Sequence, residues 1–284
     1  MLHLHTQPPM PTHITSPHNP QIKEVLKLEK RSSREQVRLF TIEGAREVRR
    51  AMDAGIVPAQ AFICPQLATA PELAPALARL DQLEQAGQTR LFTLTAEAFG
   101  RLAVREGSGG VLLVAPYLNT ALAALALPPV PLLAVIENAE KPGNLGAILR
   151  TADAAGVDAV IACATTGGTD LHNPNAVRAS LGTLFTVSVA EAPTDATIAW
   201  LRRQGMRIAA ATPEGAVRYT DADLRGPLAL VLGSEAHGLT PAWLAAADTR
   251  VVIPMHGQAD SLNLAASAAI LLYEARRQRG DPHA

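Results

Sequence analysis

Three polar stretches of this chain carry residues whose types and spacing could do chemistry, and the first contains Asn144 and Arg150. Gly143 and Gly146 flank Asn144 and would let the backbone approach a ligand closely. Neither the G-x-G-x-x-G fingerprint of a dinucleotide loop nor the lysine of a phosphate-binding P-loop is present. An amide and a guanidinium placed this way suit a ribose or a phosphate. Taken alone, a helix with Asn144 as its N-cap explains the stretch equally well.

The second and third stretches add a carboxylate and a helix start. Gly233 follows an apolar run, and Glu235 puts a carboxylate beside it. Ser261 and Asn263 precede a long run rich in Ala and Leu, and both residue types favour helix N-termini, where backbone N–H groups can bind a polar ligand. Each stretch has a plainer explanation, a solvated glutamate and a capped helix, so the case depends on the three together.

Alternating apolar runs and helical patterns position these stretches. The predicted strands are continuous apolar runs, which is typical of a parallel sheet covered on both faces. Ligands of such sheets bind outside the carboxyl ends of the strands, which places the chemistry in the loops after Ile136, Leu232 and Ile253. The predicted strands are Leu132–Ile136, Ala159–Ala162, Leu184–Val189, Met206–Ala210, Leu228–Leu232 and Val251–Ile253. The predicted helices are Leu145–Ala155, Asn175–Leu181, Asp195–Gln204, Pro241–Ala246 and Leu264–Arg279.

The first part of the chain predicts a second, smaller α/β unit. We expect a flexible segment at 1–15, an α/β domain at 16–116, a proline-bounded linker at 117–131 and the larger domain at 132–284. Between Pro20 and Arg50, nine Lys and Arg residues stand against five Asp and Glu, although the whole chain has a net charge of −1. Such a run is often only a solvated helix face, but it could hold RNA phosphates. The residues expected to do so are Lys23, Lys27, Arg31, Arg34 and Arg46.

Composition limits the class of protein. Aromatic residues make up 4%, so stacking of bases on an aromatic platform is not expected. No apolar stretch is long enough to span a membrane, and the N-terminus lacks the pattern of a signal peptide. Cys64 and Cys163 are predicted to be reduced core residues, which fits a cytoplasmic protein without a disulfide framework. No metal site is predicted.

The three stretches together resemble a known family. The patterns Asn144-x-Gly146-x-x-x-Arg150, Gly233-x-Glu235-x-x-Gly238 and Ile253-Pro254-Met255 followed by Ser261-Leu262-Asn263 resemble the three motifs of SpoU-type (TrmH-like) RNA ribose methyltransferases of the SPOUT class. Their order and spacing match over roughly residues 131–280. The segment from Ser16 to Ala54 is similar, more loosely, to the ribosomal-protein-L30e-like substrate-binding domain of many members.

The resemblance implies an S-adenosylmethionine-dependent RNA 2′-O-ribose methyltransferase. It also implies a trefoil knot at the C-terminal end of the catalytic domain and a homodimer formed through that domain. The catalytic set implied is Arg150, Asn144, Glu235, Ser261 and Asn263. The cofactor would be held at Gly233, Ile253, Leu262, Leu232 and Met255, largely by backbone groups. The family mechanism makes the arginine matching Arg150 the activating base, whereas its high pKa favours a role in holding a phosphate or polarising the hydroxyl.

Other functions stay open from the sequence. The preceding RNA-binding-like domain favours ribosomal RNA, of the 23S type, over transfer RNA as the substrate. A non-catalytic RNA-binding or ribosome-assembly factor predicts damaged motifs, whereas all five matched polar residues are present. A nucleotide-dependent dehydrogenase lacks its glycine fingerprint.

Overall fold

The computed structural model describes residues 12–103, 108–163 and 168–280. The chain divides into two compact units. Unit 1 extends to Leu118 and also includes His172–Pro174. Unit 2 comprises Asn119–Leu171 and the chain from Asn175 onward.

Unit 1 is a five-stranded mixed sheet with helices. The strand order is β1-β4-β3-β5-β2, in which β5 runs antiparallel to both its neighbours and the other pairs are parallel. Its elements are β1 (Thr12–Ile14), α1 (Pro20–Lys27), α2 (Arg31–Val37), β2 (Leu39–Glu43), α3 (Ala45–Asp53), β3 (Gln60–Ile63), α4 (Ala74–Gln85), β4 (Arg90–Leu94), α5 (Ala96–Leu102) and β5 (Val111–Pro116). A short 3-10 helix, Pro71–Leu73, precedes α4.

Helix starts in unit 1 follow from local side-chain capping. The Asn19 side chain accepts a hydrogen bond from the Gln21 N–H, at 2.8 Å, ahead of Pro20. Thr95 accepts one from the Ala98 N–H, at 3.3 Å, at the start of α5. These side chains satisfy N–H groups that have no partner within the helix.

Unit 2 is a seven-stranded, fully parallel sheet with strand order β10-β12-β9-β11-β6-β7-β8. Its elements are β6 (Leu132–Glu137), α6 (Pro142–Ala154), β7 (Ala159–Cys163), α7 (Pro174–Ala179), β8 (Ser188–Glu191), α8 (Thr194–Arg203), β9 (Arg207–Ala211), β10 (Val217–Arg218), β11 (Leu228–Leu232), α9 (Pro241–Ala246), β12 (Thr249–Val252) and α10 (Leu264–Arg279). Every residue of β6, β7 and β11 is buried. The predicted α/β class with a mainly parallel sheet is therefore confirmed.

Some expected elements differ from the observed ones. Thr12–Ile14 forms a strand paired with β4, so this part of the expected flexible segment is ordered, while residues 1–11 lie outside the described residues. The expected strand Leu184–Val189 is wrong, because Thr183–Phe185 forms a 3-10 helix and the strand begins only at Ser188. Helix α2 was not expected, since its sequence has no apolar stripe.

The sheet order brings four loops to one edge. β12, β9, β11 and β6 are successive neighbours and all parallel, so their carboxyl ends lie side by side. We name the loops after β6, β11 and β12 loop A (138–141), loop B (233–240) and loop C (253–263). Loop A leads directly into α6. These are the loops in which the sequence placed the chemistry.

Candidate active site

Three predicted catalytic side chains from three separate elements are joined by hydrogen bonds. The Asn144 amide nitrogen donates to Oε1 of Glu235 in a short hydrogen bond. The Asn263 amide nitrogen donates to Oδ1 of Asn144 at 3.1 Å. Asn144 lies on α6, Glu235 in loop B and Asn263 at the end of loop C, and Asn144 and Asn263 are 119 positions apart in the sequence. We call these three residues the polar relay.

Asn144 is placed by the start of α6. Pro142 is the first residue of this helix and Lys141 its N-cap, so Asn144 lies in the first turn. The expectation that Asn144 is the N-cap is therefore wrong, because proline with its fixed φ and missing N–H is preferred at the first helical position. As a result, the Asn144 amide is not used for capping and binds Glu235 and Asn263.

Loop B is a tight turn that only glycine permits at its first residue. The N–H of Ser234 donates to the Gly238 carbonyl at 3.1 Å, and the N–H of Gly238 donates back at 3.0 Å. A Cβ on Gly233 would collide with the backbone of Gly238 and Leu239. This closure presents Glu235 at the tip of the loop.

Glu140 in loop A binds loop B in both directions. Its N–H donates to Oε2 of Glu235 at 3.1 Å, and its Oε1 accepts from the Ala236 N–H at 3.2 Å. Partial burial by itself raises the pKa of Glu235, but the hydrogen bonds from Glu140 and Asn144, joined by backbone donors of Glu235 and Lys141, outweigh it and lower that pKa below its ordinary value. Glu235 is thus a carboxylate held ionised by neutral donors.

Asn263 is the N-cap of α10, as the sequence predicted. Its Oδ1 accepts from the N–H groups of Ala265 at 2.9 Å and Ala266 at 3.4 Å. The same side chain therefore caps a helix with its oxygen and binds Asn144 with its nitrogen. This double use fixes the end of loop C against α6.

Arg150 and Ser261 are in place but outside the network. Arg150 is exposed on α6, six residues beyond Asn144, which is about 9 Å along the helix axis. Ser261 is exposed in loop C. Within the described part of the chain, neither side chain forms a hydrogen bond or an ion pair. Both are thus available to a ligand.

Loop C has the chemistry that a nucleoside cofactor needs. In the described part of the chain, no backbone group of residues 253–262 forms a hydrogen bond with another backbone group. The N–H and C=O groups of this loop are therefore open to a ligand. Met255 and Leu262 are 37% and 38% exposed, which leaves apolar surface beside those polar groups. Open backbone groups next to apolar side chains fit an adenosine, so the residues present suit the expected cofactor.

The remaining expected cofactor residues differ in what they can offer. Ile253 and Gly233 are half-buried. Leu232 is buried at 2% exposure, so only its backbone could reach a ligand. The three loops therefore present mainly backbone atoms.

Two features of this edge were not anticipated. Glu137, at the end of β6, is fully buried and accepts hydrogen bonds from Thr194 and Thr240. A single Glu after an apolar run carries no spacing signal that would have singled it out. The loop 212–216 follows β9, which lies between β12 and β11, so a fourth loop shares this edge. Only the strand order could have revealed it.

The expected RNA-binding residues of unit 1 are exposed, with one exception. Lys23, Lys27, Arg31 and Arg46 lie at the surface. Arg34 is fully buried, and its guanidinium donates to the carbonyls of Leu28 at 3.0 Å and Glu29 at 2.9 Å. The expectation that Arg34 contacts phosphate is therefore corrected: its side chain holds the α1–α2 connection.

Other expected features concern cysteines, metals and membranes. Cys64 and Cys163 are both free and buried, as predicted, and burial foremost raises the pKa of Cys163 to about 12. In residues 12–103, 108–163 and 168–280, no group of three or more His, Cys, Asp or Glu residues could hold a metal ion. No helix in these ranges is both long and apolar enough to cross a membrane.

The whole of this site lies in a segment that matches a known family. The profile of the SpoU rRNA methylase family matches residues 131–273, which contain β6 to most of α10 and all three relay residues. The chain belongs to the SpoU rRNA methylase family. A second profile, the MRM3-like substrate binding domain, matches residues 19–113.

Relatives and solved structures agree with this family assignment. The chain is 26% identical to the 23S rRNA (guanosine(2553)-2′-O)-methyltransferase RlmP of Bacillus subtilis over 93% of the chain and 98% of the relative. A crystal structure of an RNA 2′-O ribose methyltransferase is 40% identical, with a TM-score of 0.76, over 94% of this chain and 99% of the other. An AdoMet-bound rRNA methyltransferase from Sinorhizobium meliloti is 29% identical, with a TM-score of 0.84, over 94% and 97% of the two chains. The predicted family and enzyme class, an S-adenosylmethionine-dependent RNA 2′-O-ribose methyltransferase, are confirmed.

Proposed function

We propose that this protein transfers the methyl group of S-adenosylmethionine to a ribose 2′-hydroxyl of 23S-type ribosomal RNA. The observation that carries the proposal is the polar relay, in which Asn144, Glu235 and Asn263 converge at the carboxyl edge of the sheet. The family profile over these residues supports methyl transfer, and the full-length similarity to a 23S rRNA methyltransferase supports the choice of ribosomal over transfer RNA.

The cofactor would be held by backbone groups of Gly233, Ile253 and Leu262, with Leu232 and Met255 beside them. Bound there, it supplies an electrophilic methyl group on a sulfonium that already carries positive charge. Loop C offers its open backbone groups and two exposed apolar side chains to the nucleoside. A bound cofactor would exclude water from this edge of the sheet, and the polar contacts at the edge would become stronger as a result.

Arg150 deals with the weak acidity of the ribose hydroxyl. A guanidinium is a very weak acid, so a neutral arginine is costly and Arg150 acts as a cation. In that form it holds the phosphate on the 3′ side of the ribose or polarises the hydroxyl, which stabilises the developing alkoxide. Exposure on α6 leaves it accessible to RNA.

The relay residues position the ribose. Glu235 fixes the Asn144 amide, and Asn144 fixes Asn263, so the three loops share one arrangement. Ser261, exposed two residues before Asn263, contributes a hydroxyl to the same edge. Positioning of this kind removes the entropy cost of aligning the nucleophile with the methyl carbon.

Unit 1 is proposed to bind the RNA substrate. Its match to a substrate-binding domain over residues 19–113 and the exposed Lys23, Lys27, Arg31 and Arg46 support this role. Lys27 and Arg31 pair with Glu24 and Glu35 at 2.6 and 2.7 Å, but exposed pairs of this kind contribute little and can exchange for phosphate.

The organisation expected from the resemblance belongs to the same proposal. We propose an RNA-binding domain at 16–116, a linker at 117–131 and a catalytic domain at 132–284 that carries the trefoil knot and forms a homodimer. Cytoplasmic location is supported by two buried free cysteines.

The proposal is tested by methyl transfer with the purified full chain. The protein and methyl-labelled S-adenosylmethionine are incubated with 23S rRNA, with ribosomal particles and with tRNA, and ribose methylation is mapped. We expect one methylated ribose in ribosomal RNA. Transfer to tRNA alone would replace the substrate, and no transfer to any of these RNAs would favour a non-catalytic assembly factor.

Arg150→Ala tests the mechanism within the same assay. Removing the guanidinium takes away the cation at the reacting oxygen, so we expect methyl transfer to fall by at least about a hundredfold. Cofactor affinity, measured by calorimetry, should stay unchanged, since loop C is intact. The control is Arg203→Ala, which removes an exposed arginine from α8. Near-normal turnover of Arg150→Ala would remove this residue from the mechanism.

A further inference from the structure

A buried carboxylate lies directly beneath the site. Glu137 ends β6 and has no exposed surface. Its Oε1 accepts from the hydroxyls of Thr194 at 2.7 Å and Thr240 at 2.9 Å, and its Oε2 accepts from the Thr240 N–H at 2.8 Å. A carboxylate is rarely placed in a core unless its acceptors are satisfied, so these three bonds are what keeps it there.

The donors come from two different elements. Thr194 is the first residue of α8 and belongs to none of the three loops. Thr240 is the last residue of loop B and the N-cap of α9. Glu137 therefore connects the end of β6 to loop B through Thr240 and to α8 through Thr194.

Loop B is short enough for this tie to affect Glu235. Four residues lie between Glu235 and Thr240, and the Ser234–Gly238 bridge closes the turn that contains Glu235. A Cβ is excluded at Gly233, which leaves the loop little room at its other end. Displacement of Thr240 would therefore move the turn that holds the Glu235 carboxylate against the Asn144 amide and the Glu140 N–H.

We propose that Glu137 is a positioning residue for methyl transfer, which sets the place of Glu235 by holding Thr240 at the end of loop B. This role rests on the proposed function and deepens it, because Glu137 acts through Thr240 and never touches substrate or cofactor. Glutamate suits the role because all three partners donate to its two oxygens, and a charged acceptor strengthens each of these hydrogen bonds.

The two threonines provide a matched test. Thr240→Val and Thr194→Val each delete one hydroxyl that donates to the same oxygen of Glu137, and both keep the β-branched shape. Only the first loosens loop B. The N–H of Thr240 remains in both variants, so each retains two of the three bonds and a folded core.

Rate and amide exchange are measured on full-length variants. For Thr240→Val we expect the maximal rate of methyl transfer to fall about tenfold, with the KM for RNA within twofold. Hydrogen exchange of the Glu140 amide, which donates to Glu235, should quicken about tenfold. Thr194→Val should leave both quantities within twofold of the unmodified chain.

The outcomes separate this proposal from the proposed function. Equal losses of rate and of amide protection in the two variants, or unchanged values in both, overturn the positioning role. An unmodified chain that methylates no RNA overturns the proposed function, while the exchange of the Glu140 amide still decides whether Thr240 holds Glu235. Glu137→Leu, which deletes both acceptor oxygens and fills a similar volume, serves as a second variant, with at least the loss of protection seen for Thr240→Val if the proposal is right.

Discussion

Asn144 is suited to its place because its amide is used at both ends. Its nitrogen donates to Glu235 and its oxygen accepts from Asn263. Aspartate has nearly the same shape but no donor, and it would bring a second negative charge against Glu235. The hydrogen bond between positions 144 and 235 therefore requires that one of the two side chains is an amide and the other a hydrogen-bond acceptor.

Exchanging the two groups tests this dependence. Asn144→Asp alone sets two carboxylates against each other, and we expect a loss of about a hundredfold or more in kcat/KM. Adding Glu235→Gln restores a donor and an acceptor in the reversed direction, and its oxygen can still accept from the Glu140 N–H. The double variant should regain at least about tenfold, measured as a double-mutant cycle. Additive losses would show that the relay bond does not matter.

His172 in unit 1 predicts a dependence of stability on pH. Burial, followed by the positive charges of Arg38 and Arg34, lowers the pKa of this histidine from 6.5 to about 3. The ring stacks on Tyr117 at 3.8 Å between centroids, and its Nε2 accepts from the Leu118 N–H. As the pH falls below 6.5, His172 becomes protonated in the unfolded chain but stays neutral in the folded chain. The free energy of unfolding is therefore unaffected by His172 above pH 6.5, and below that pH it falls by about 1.4 kcal/mol per pH unit as the pH approaches 3.

The measurement is an NMR titration of the His172 imidazole with hydrogen exchange of unit 1 between pH 7 and pH 5, above the range where carboxylates titrate. Protection factors, which take account of the slower intrinsic exchange at lower pH, should fall on acidification although the imidazole itself stays neutral. His172→Phe, which keeps an aromatic ring, should remove the slope. An imidazole that titrates near pH 6.5 in the folded chain would contradict the prediction.

At the residue scale, the sequence indicated which residues lie at this edge of the sheet better than it indicated which residues they contact. Residue type and position singled out Asn144, Glu235 and Asn263, the family resemblance assigned them to the catalytic set, and the three side chains do converge. Glu137 was missed, because its importance comes from threonines 57 and 103 residues away. Arg34 was misassigned because a charged helix gives no sign that one arginine turns inward to bind backbone carbonyls.

At the element scale, α6 packs closely against α7 because Gly146 of α6 has no side chain. A Cβ on Gly146 would lie 2.5 Å from the Ala179 Cβ and 2.7 Å from the Ser180 nitrogen. The sequence suggested that Gly143 and Gly146 admit a ligand, but at Gly146 the close neighbour is another helix. Gly143 in the first turn of α6 has nothing within 4 Å of an added Cβ.

These two glycines predict opposite effects of the same substitution. Gly146→Ala should force α6 and α7 apart and lower the free energy of unfolding by about 2–3 kcal/mol. Gly143→Ala should be neutral or stabilise by up to about 1 kcal/mol, because alanine is the better helix former. Chemical denaturation followed through unit 2 measures both. Equal effects of the two changes would contradict the structure.

Element boundaries were predictable where the chain has strong local signals. The long helix α10 was predicted at Leu264–Arg279 and has those bounds, since Asn263 caps it. Helix α6 begins three residues earlier than expected because Pro142 can occupy its first position. Strands β1 and β10 have three and two residues, too few to show any period.

At the scale of the whole molecule, the chain combines two compact units for which separate tasks are proposed. Cofactor binding is proposed for unit 2 alone, so it should stabilise the units unequally. At a concentration of S-adenosylmethionine one hundred times its Kd, linkage adds about 2.7 kcal/mol to whatever unfolds with the site. Hydrogen exchange should therefore slow in β6, β9 and β11 and stay unchanged in β2–β5. Equal protection of both sheets would place the binding site elsewhere.

The alternation of strands and helices predicted the α/β class, but the strand order was beyond the sequence. Pairing of β12 with β9 and β10 joins segments with no pattern that marks them as neighbours. This order decides which loops meet, and it put the unanticipated loop 212–216 among them. The resemblance supplied the site residues, whereas their neighbours became visible only in the fold.

The position of β12 has a consequence for the order in which the protein becomes competent. β12 is the last strand to leave a ribosome, yet it inserts between β10 and β9. Until it arrives, one side of β9 is unpaired and β10 has no partner. Asn263 emerges later still, so the nascent chain lacks both loop C and the third relay residue. RNA methylation therefore waits until loop C has been synthesised, and under the proposed roles a chain truncated before β12 binds RNA through unit 1 without methylating it.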